Sequence, residues 1–532
     1  MATATSNIPQ EVATQGPQLA SSGREFHRRM ASISRQSAVY FAGTILTTAA
    51  GFFFKIFLAR KLGAEPLGIY TLGMTIVGLL GLFNALGLPT AATRFVAAYC
   101  ARGEFARLGT FLRGSLSLLS VCNLLFGSLL LFIGPWVAVH FYHLPALSPY
   151  LWAFALIMFF GVLNTFVGQV MAGYHDVSRR TLITHFLGVP ANILFAVVLI
   201  SIGFRLHGYL AAQVGSAILV FVLLARSVWK MTPPESRTFG PLAPVEREVV
   251  TFSAAAFGTA GLEFVLGQAD KILLGRYLDV RQVGIYAVAM ALVGFVPIAL
   301  QSVNQIFSPT ISELHATGNH SMLQLLYATL TKWVLILTIP LALTMIVFAH
   351  PLMSIFGPSF APGAAVLAIG AAGQLFNCAV GSVGFLLLMS GNQFHLVKIQ
   401  AMNAVLLIAL GLILVPRMGT IGAALATAIT VITTNLWLLR AVHNKLKLFP
   451  YNSSYLKLVF PTLLSTGVLL ALEHGFVGTR SNWEFVLVAI VAAYGSFLAM
   501  IWISGLDSYD REIAQTLWTR ITRGILGNEV DA

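Results

Sequence analysis

Three cysteines in 532 residues, Cys100, Cys122 and Cys378, fall in or beside apolar runs. Their spacing excludes a disulfide scaffold and a thiolate metal site. Charge is also scarce. Asp, Glu, Lys and Arg make up 10% of the chain, against about 25% in a soluble domain, too few to cover a surface that faces water all round. Acidic residues are the rarer sign, 19 against 32 Lys and Arg, which gives a formal net charge of +13. The chain has no P-loop, no GxSxG elbow and no dinucleotide fingerprint. His140, His143, His175 and His185 show no metal-ligand spacing. No cofactor or metal is implied, and energy for any work has to come from a gradient.

Apolar residues fill the space left by charge, at 57% of the chain. Segments of spanning length recur at about 38–60, 67–88, 112–133, 150–172, 182–203, 208–228 and 250–275, then at 284–306, 327–349, 364–390, 396–415, 420–440, 454–473 and 482–504. Fourteen spans of about 21 residues account for roughly 55% of the chain. Such long uninterrupted runs lack the short alternation of a membrane barrel, so they are expected to be helices. The reading is an all-α polytopic membrane protein of about 14 transmembrane helices.

Residues 1–37 form a polar tail with four arginines. No apolar stretch precedes the first span, which is expected to act as its own signal anchor. A hydrophilic break at 229–249 separates a six-helix lobe at 38–228 from a second at 250–440. Two further helices occupy 441–504 and a second tail 505–532. Of the 32 Lys and Arg, 23 fall in the tails and alternate loops of one side, seven in loops of the other, and Lys55 and Lys271 inside spans. That bias predicts both termini in the cytoplasm and a cytoplasmic (inner) membrane location. Basic loops suit an anionic leaflet, so membrane lipids rather than nucleic acid explain the net charge.

The two lobes are related in sequence. At an offset of 216, residues 55–78 match 271–294 with 11 identities in 24 positions, including Lys55/Lys271, Arg60/Arg276 and Gly68-Ile69-Tyr70/Gly284-Ile285-Tyr286. A repeat of six helices preserves orientation, so the lobes are expected to be related by an axis along the membrane normal. Transporters built on such repeats bind substrate between the halves and alternate access by rocking.

The stretch Ala59-Arg60-Lys61-Leu62-Gly63-Ala64-Glu65-Pro66-Leu67-Gly68-Ile69-Tyr70, followed by Gly87-Leu88-Pro89-Thr90-Ala91-Ala92-Thr93-Arg94-Phe95, resembles the start of polysaccharide-export flippases. These are the Wzx-type O-antigen translocases of the superfamily that includes MATE exporters and MurJ. The resemblance covers roughly residues 35–505. It implies movement of a polyprenyl-diphosphate-linked oligosaccharide across the membrane for cell-surface polysaccharide synthesis. It also implies a cationic cavity for the diphosphate and coupling to H+ or Na+.

Four ionisable residues lie inside predicted spans: Lys55, Glu263, Asp270 and Lys271. A charge at a helix centre costs about 2.5–3.5 kcal/mol on an insertion scale, so all four should face the protein interior or reach an interface. Lys55 and Lys271 lie five or six residues below the outer helix ends, roughly 8–9 Å at 1.5 Å per residue, within snorkelling reach. Glu263 sits near the midplane, with Asp270 two turns on along the same face. Both are candidates for ion coupling, and an ion pair with Lys55, Lys271 or Arg276 is the structural alternative for Asp270.

Arg60, Arg94 and Arg276 stand at helix ends, where a planar guanidinium suits a diphosphate. Gln301, Asn304 and Gln305 form a polar face for sugar hydroxyls or for bonds between helices. With Lys55 and Lys271 these are the candidate substrate-binding residues. Pro190, Pro297 and Pro340 are candidate kinks.

Two other classes compete. A MATE-like cation-coupled exporter of small molecules would favour an acidic cavity, whereas the charges within the spans are two positive and two negative. A membrane enzyme is not expected, because the longest outer loops, 134–149 and 350–363, contain no acidic residue.

Overall fold

The computed structural model describes Gly43 and residues 46–237, 246–475 and 483–504, and among them there is no strand. The first half contains α1 (46–62), α2 (Ala64–Ala85), α3 (Leu88–Arg102), α4 (Phe105–His140), α5 (Leu151–Gly173), α6 (Val177–Ser201) and α7 (Arg205–Met231). After the break come α8 (Arg247–Tyr277), α9 (Val280–Val293), α10 (Ile298–Ala316), α11 (His320–Val347), α12 (Ala364–Val380) and α13 (Val383–Met389). The chain ends on α14 (Gln393–Leu446), α15 (Val459–Gly475) and α16 (Trp483–Ser504).

Local chemistry sets the boundaries. Asp176 and Asn319 cap the amides of Arg179 and Met322, meeting donors that the first helical turn leaves without partners. The candidate kinks take three forms. Pro297 lies at the 49° bend between α9 and α10. Pro190 follows a π-helical stretch, Leu182–Gly188, inside α6, because its missing N–H leaves a carbonyl one turn back without its α-helical donor. Pro340 is buried within the continuous helix α11.

Eleven helices among the described residues are long and apolar enough to cross a membrane, twelve if the bent α9–α10 pair is one span. Two features separate this from the fourteen sequence segments. The start of the first segment lies outside the described residues, and segments 396–415 and 420–440 share the 54-residue α14. That helix breaks at Gly419, whose φ of 62° and ψ of −135° are open to glycine alone at little cost. Gly419→Ala is expected to cost about 1–3 kcal/mol through backbone strain, seen as a lower thermal midpoint of the purified protein in detergent.

Large apolar side chains stand in the open on these helices: Phe132 is 84% exposed, Phe394 80% and Trp502 80%. Surface of this kind on long apolar helices is solvated by acyl chains rather than water. The chain is a multi-pass membrane protein.

The described chain forms two compact units. Among the described residues one is built from Gly43 and residues 46–54, 84–128, 155–237 and 246–256. Its core stacks Phe95, Tyr99, Phe111 and Phe166, and buried Asn84 donates to Asn123. The other consists of residues 55–83, 129–154, 257–475 and 483–504. Within it Tyr327, with no exposed surface, donates to the carbonyl of Val380. Its terminal helices are tied in by Phe348 against Phe485 and by Tyr494 donating to the Leu337 carbonyl. The six-helix lobes remain a proposal from sequence.

Candidate functional site

Nine of the ten candidate residues belong to the second unit. Six of them lie on the repeat-related helices α1 and α8, which lead into α2 and α9, and three lie on α10. Gly68 of α2 lies so close to α9 that a Cβ on it would overlap the Val280 carbonyl. A Cβ on Gly284 of α9 would overlap the Ala64 carbonyl and stand 2.9 Å from the Gly68 amide. At the offset of 216, Ala64 corresponds to Val280 and Gly68 to Gly284, so the contact is reciprocal. Only glycine permits such an approach of two backbones.

Lys55 is exposed and lies within electrostatic reach of its repeat mate Lys271. The Lys271 ammonium donates to the Gly267 carbonyl at 3.1 Å and to Gln268 Oε1 at 2.8 Å. Among the described residues neither lysine is in an ion pair. Two cations held close with neutral partners make a local positive field suited to an anion.

Asp270 is not paired with a cation either. Its Oδ2 accepts from the Tyr286 hydroxyl at 2.7 Å and its Oδ1 from the Lys271 amide at 2.8 Å. Tyr286 has no exposed surface, and the Thr427 hydroxyl lies beside its phenol. The carboxylate is therefore fixed by oxygen and amide donors. Glu263, two turns earlier, is exposed and has no partner among the described residues. Its helix α8 is also the least packed span, with 11% of its apolar window buried against 61% for α11.

The two repeat-related arginines both reach loops. Arg60 Nε donates to the Ile355 carbonyl at 2.8 Å. Arg276 Nη1 donates to His143 Nε2 at 2.8 Å and its guanidinium lies near the Phe141 and Tyr277 rings. A guanidinium has no acceptor, so His143 accepts through an unprotonated nitrogen. On α10, Gln301 and Gln305 are exposed while Asn304 is 8% exposed, with its carbonyl oxygen unpartnered. The polar stripe read from sequence thus divides between an outward pair and an inward amide.

Arg94 belongs to the first unit. It is 3.6 Å from Glu248 and lies over the Phe95 and Phe252 rings. Nearby, Tyr99 donates to Glu246 at 3.2 Å. Burial first, and then the Glu246 carboxylate, push the Tyr99 phenol up to about 12. Arg107 joins the cluster through Glu104 and Glu246.

Sequence reading missed Tyr286, Thr427, His143 and Arg113. Tyr286 was visible only as part of the repeated Gly-Ile-Tyr. His143 had been set aside for lack of metal spacing. Arg113, counted as a loop cation, sits in α4 with buried and unpartnered Nε and Nη1.

Comparisons agree with this architecture. A family model described as polysaccharide biosynthesis protein matches residues 57–362. The chain is 21% identical over 404 residues to the probable low-salt glycan biosynthesis flippase Agl15 of Haloferax volcanii, covering 75% of this chain and 81% of that protein. In fold it is similar to a solved structure of lipid II flippase MurJ in an inward closed conformation, with a TM-score of 0.70 at 15% identity, covering 87% of this chain and 98% of that one. An inward-facing multidrug resistance MATE transporter is similar at a TM-score of 0.59 and 16% identity, covering 77% and 98%.

Proposed function

Because the chain belongs to the polysaccharide biosynthesis protein family, we propose that it is a flippase moving a polyprenyl-diphosphate-linked oligosaccharide across the cytoplasmic membrane by alternating access. Membership makes it a membrane transporter of the MurJ/MATE-like kind, not an enzyme. The observation that carries the substrate class is the Lys55/Lys271 pair, two cations on repeat-related helices within electrostatic reach of each other and, among the described residues, in no ion pair. A diphosphate supplies the missing counter-charge, and Arg60 retains donors beyond the one given to Ile355. Gln301 and Gln305 offer amides to sugar hydroxyls. Arg94 is engaged by Glu248 and two rings, which gives it the weakest claim among the candidates.

Coupling to H+ or Na+ is assigned to Asp270 and Glu263. Asp270 has the better-built surroundings, with the Tyr286 phenol and the Lys271 amide both donating to it. Both termini are placed in the cytoplasm by the distribution of basic residues. The other reading is a MATE-like exporter of small organic cations. One observation favours it, the exposed and unpartnered Glu263, which a cation would neutralise.

Purified protein in liposomes decides between them. A fluorescent polyprenyl-diphosphate sugar should change leaflets without ATP and faster with an imposed ion gradient. Movement of an organic cation but not of the lipid-linked sugar would establish the exporter instead.

A further inference from the structure

The exposed residues of α5 lie on two faces of opposite character. On one, Trp152 is 48% exposed and Leu156 39%, the apolar surface that acyl chains solvate. On the opposite face Met158 is 1% exposed, and the same line then opens at Gly161, Thr165 and Gln169, three, seven and eleven residues on. A Cβ on Gly161 would meet nothing within 4 Å. Thr165 is exposed, and its hydroxyl donates back to the Gly161 carbonyl at 2.8 Å. Its proton is thereby used, and its oxygen remains an acceptor.

Gln169 is held from behind. Its Oε1 accepts from the Thr93 hydroxyl of α3 at 2.9 Å and from Arg180 Nη1 of α6 at 3.3 Å. The Arg180 side chain lies against Gly168, where a Cβ would stand 3.2 Å from its Nε. Two donors converging on one atom settle which way the amide is turned, since an –NH2 in that place could accept from neither. Nε2 is not buried and has no partner among the described residues, so its two N–H groups are presented in a fixed direction. Thr93, Thr165, Gln169 and Arg180 all belong to the first unit.

We propose that Gln169 and Thr165 form a sugar-reading subsite: the fixed amide donates to an oxygen of the glycan, the threonine oxygen accepts from a neighbouring hydroxyl, and Thr93 and Arg180 are positioning residues. The inference deepens the flippase reading and rests on it. The chemistry of the face separates the sugar from the diphosphate. A diphosphate offers acceptors alone and is served by cations such as Lys55 and Lys271. A pyranose carries donors and acceptors side by side, and a donor group and an acceptor one helical turn apart, about 5–6 Å between Cβ atoms, match that alternation. Neutral groups oriented in advance discriminate between substrates, because a ligand lacking the matching group leaves them unpaired.

The test uses the full-length protein in lipid nanodiscs and two fluorescent probes, polyprenyl diphosphate and the same lipid bearing one N-acetylhexosamine. The unaltered protein should bind the sugar-bearing lipid more tightly. Gln169→Met, which keeps the length but removes the donors, and Thr165→Val, which removes the acceptor, should each cut that preference by about 2–10-fold, the weight of one neutral hydrogen bond. Affinity for the bare lipid should stay as it was. Thr93→Val, which lets the amide turn, should lower the preference in the same direction, and Thr93→Ser should restore it. Equal binding of the two lipids by the unaltered protein would overturn the proposal. So would an unchanged preference, or an equal loss for both lipids, in Thr165→Val at a preserved thermal midpoint, whether or not Gln169→Met folds. If the flippase reading alone is wrong, the preference and its loss persist in nanodiscs while neither lipid changes leaflets in liposomes.

Discussion

Replacing Asp270 by asparagine should lower gradient-driven transport by roughly 5–150-fold, the span of a coupling free energy of about 1–3 kcal/mol, while gradient-independent movement persists. A coupling cation needs oxygen ligands, and Asp270 supplies a carboxylate beside the Tyr286 phenol. Its carboxylate is bound by the buried Tyr286 phenol, with the Thr427 hydroxyl alongside. A coupling proton needs only the carboxylate, and Asp270→Asn removes that too. Glu263→Gln should have the smaller effect, because Glu263 is exposed and has no partner among the described residues. Tyr286→Phe separates positioning from mere packing. It keeps the ring that fills the core but removes the hydroxyl, and should shift the ion concentration or pH giving half-maximal transport at unchanged thermal midpoint. The measurement is uptake into proteoliposomes with and without an imposed Na+ or H+ gradient. Full gradient response in Asp270→Asn together with its loss in Glu263→Gln would reverse the assignment and make the midplane carboxylate the coupling group.

Neutralising the lysine pair should have a comparable effect on a different quantity. Lys55→Gln and Lys271→Gln should each raise the KM for a polyprenyl-diphosphate sugar by about tenfold or more, since a hydrogen bond to a charged group contributes about 1.5–3 kcal/mol. The matched size of the two effects is the distinguishing feature. If the lysines only snorkel to headgroups, Lys55→Gln leaves transport nearly intact and the two variants need not agree. Lowering the salt concentration should strengthen the effect of both lysines on KM, as screening of partly exposed charges falls. Arg94→Gln is the internal control, with a small effect expected because Glu248 and two rings already occupy its guanidinium.

The membrane-spanning helices, the shortage of charge and the duplicated segment at 55–78 and 271–294 were all legible in the amino-acid sequence by itself, because each depends on local or periodic properties. A run of some twenty apolar residues has one low-energy form in a bilayer wherever the rest of the chain lies. An offset of 216 requires no coordinates. The family resemblance belongs here too, since residues 59–70 and 87–95 are contiguous. The boundary in α14 belongs with them: Pro416 and Gly419 mark it in the sequence, and the backbone turns non-helical at Gly419, between the two expected spans.

Only the tertiary structure decided what the polar groups do. Arg60 finds its acceptor 295 residues away and Arg276 finds His143 at a separation of 133. Asp270, for which an ion pair with Lys55, Lys271 or Arg276 was the structural alternative, accepts instead from a phenol on the next helix. Arg94, alike in sequence context to the other helix-end arginines, was drawn into an acidic and aromatic cluster of its own unit. Nothing local specifies these choices. A charge buried in an apolar chain must find compensation, and which group supplies it depends on the packing of helices far apart in sequence. The same holds for Gly68 and Gly284. The repeat placed a small residue at both positions, but that the two meet each other's helices is a property of the folded pair.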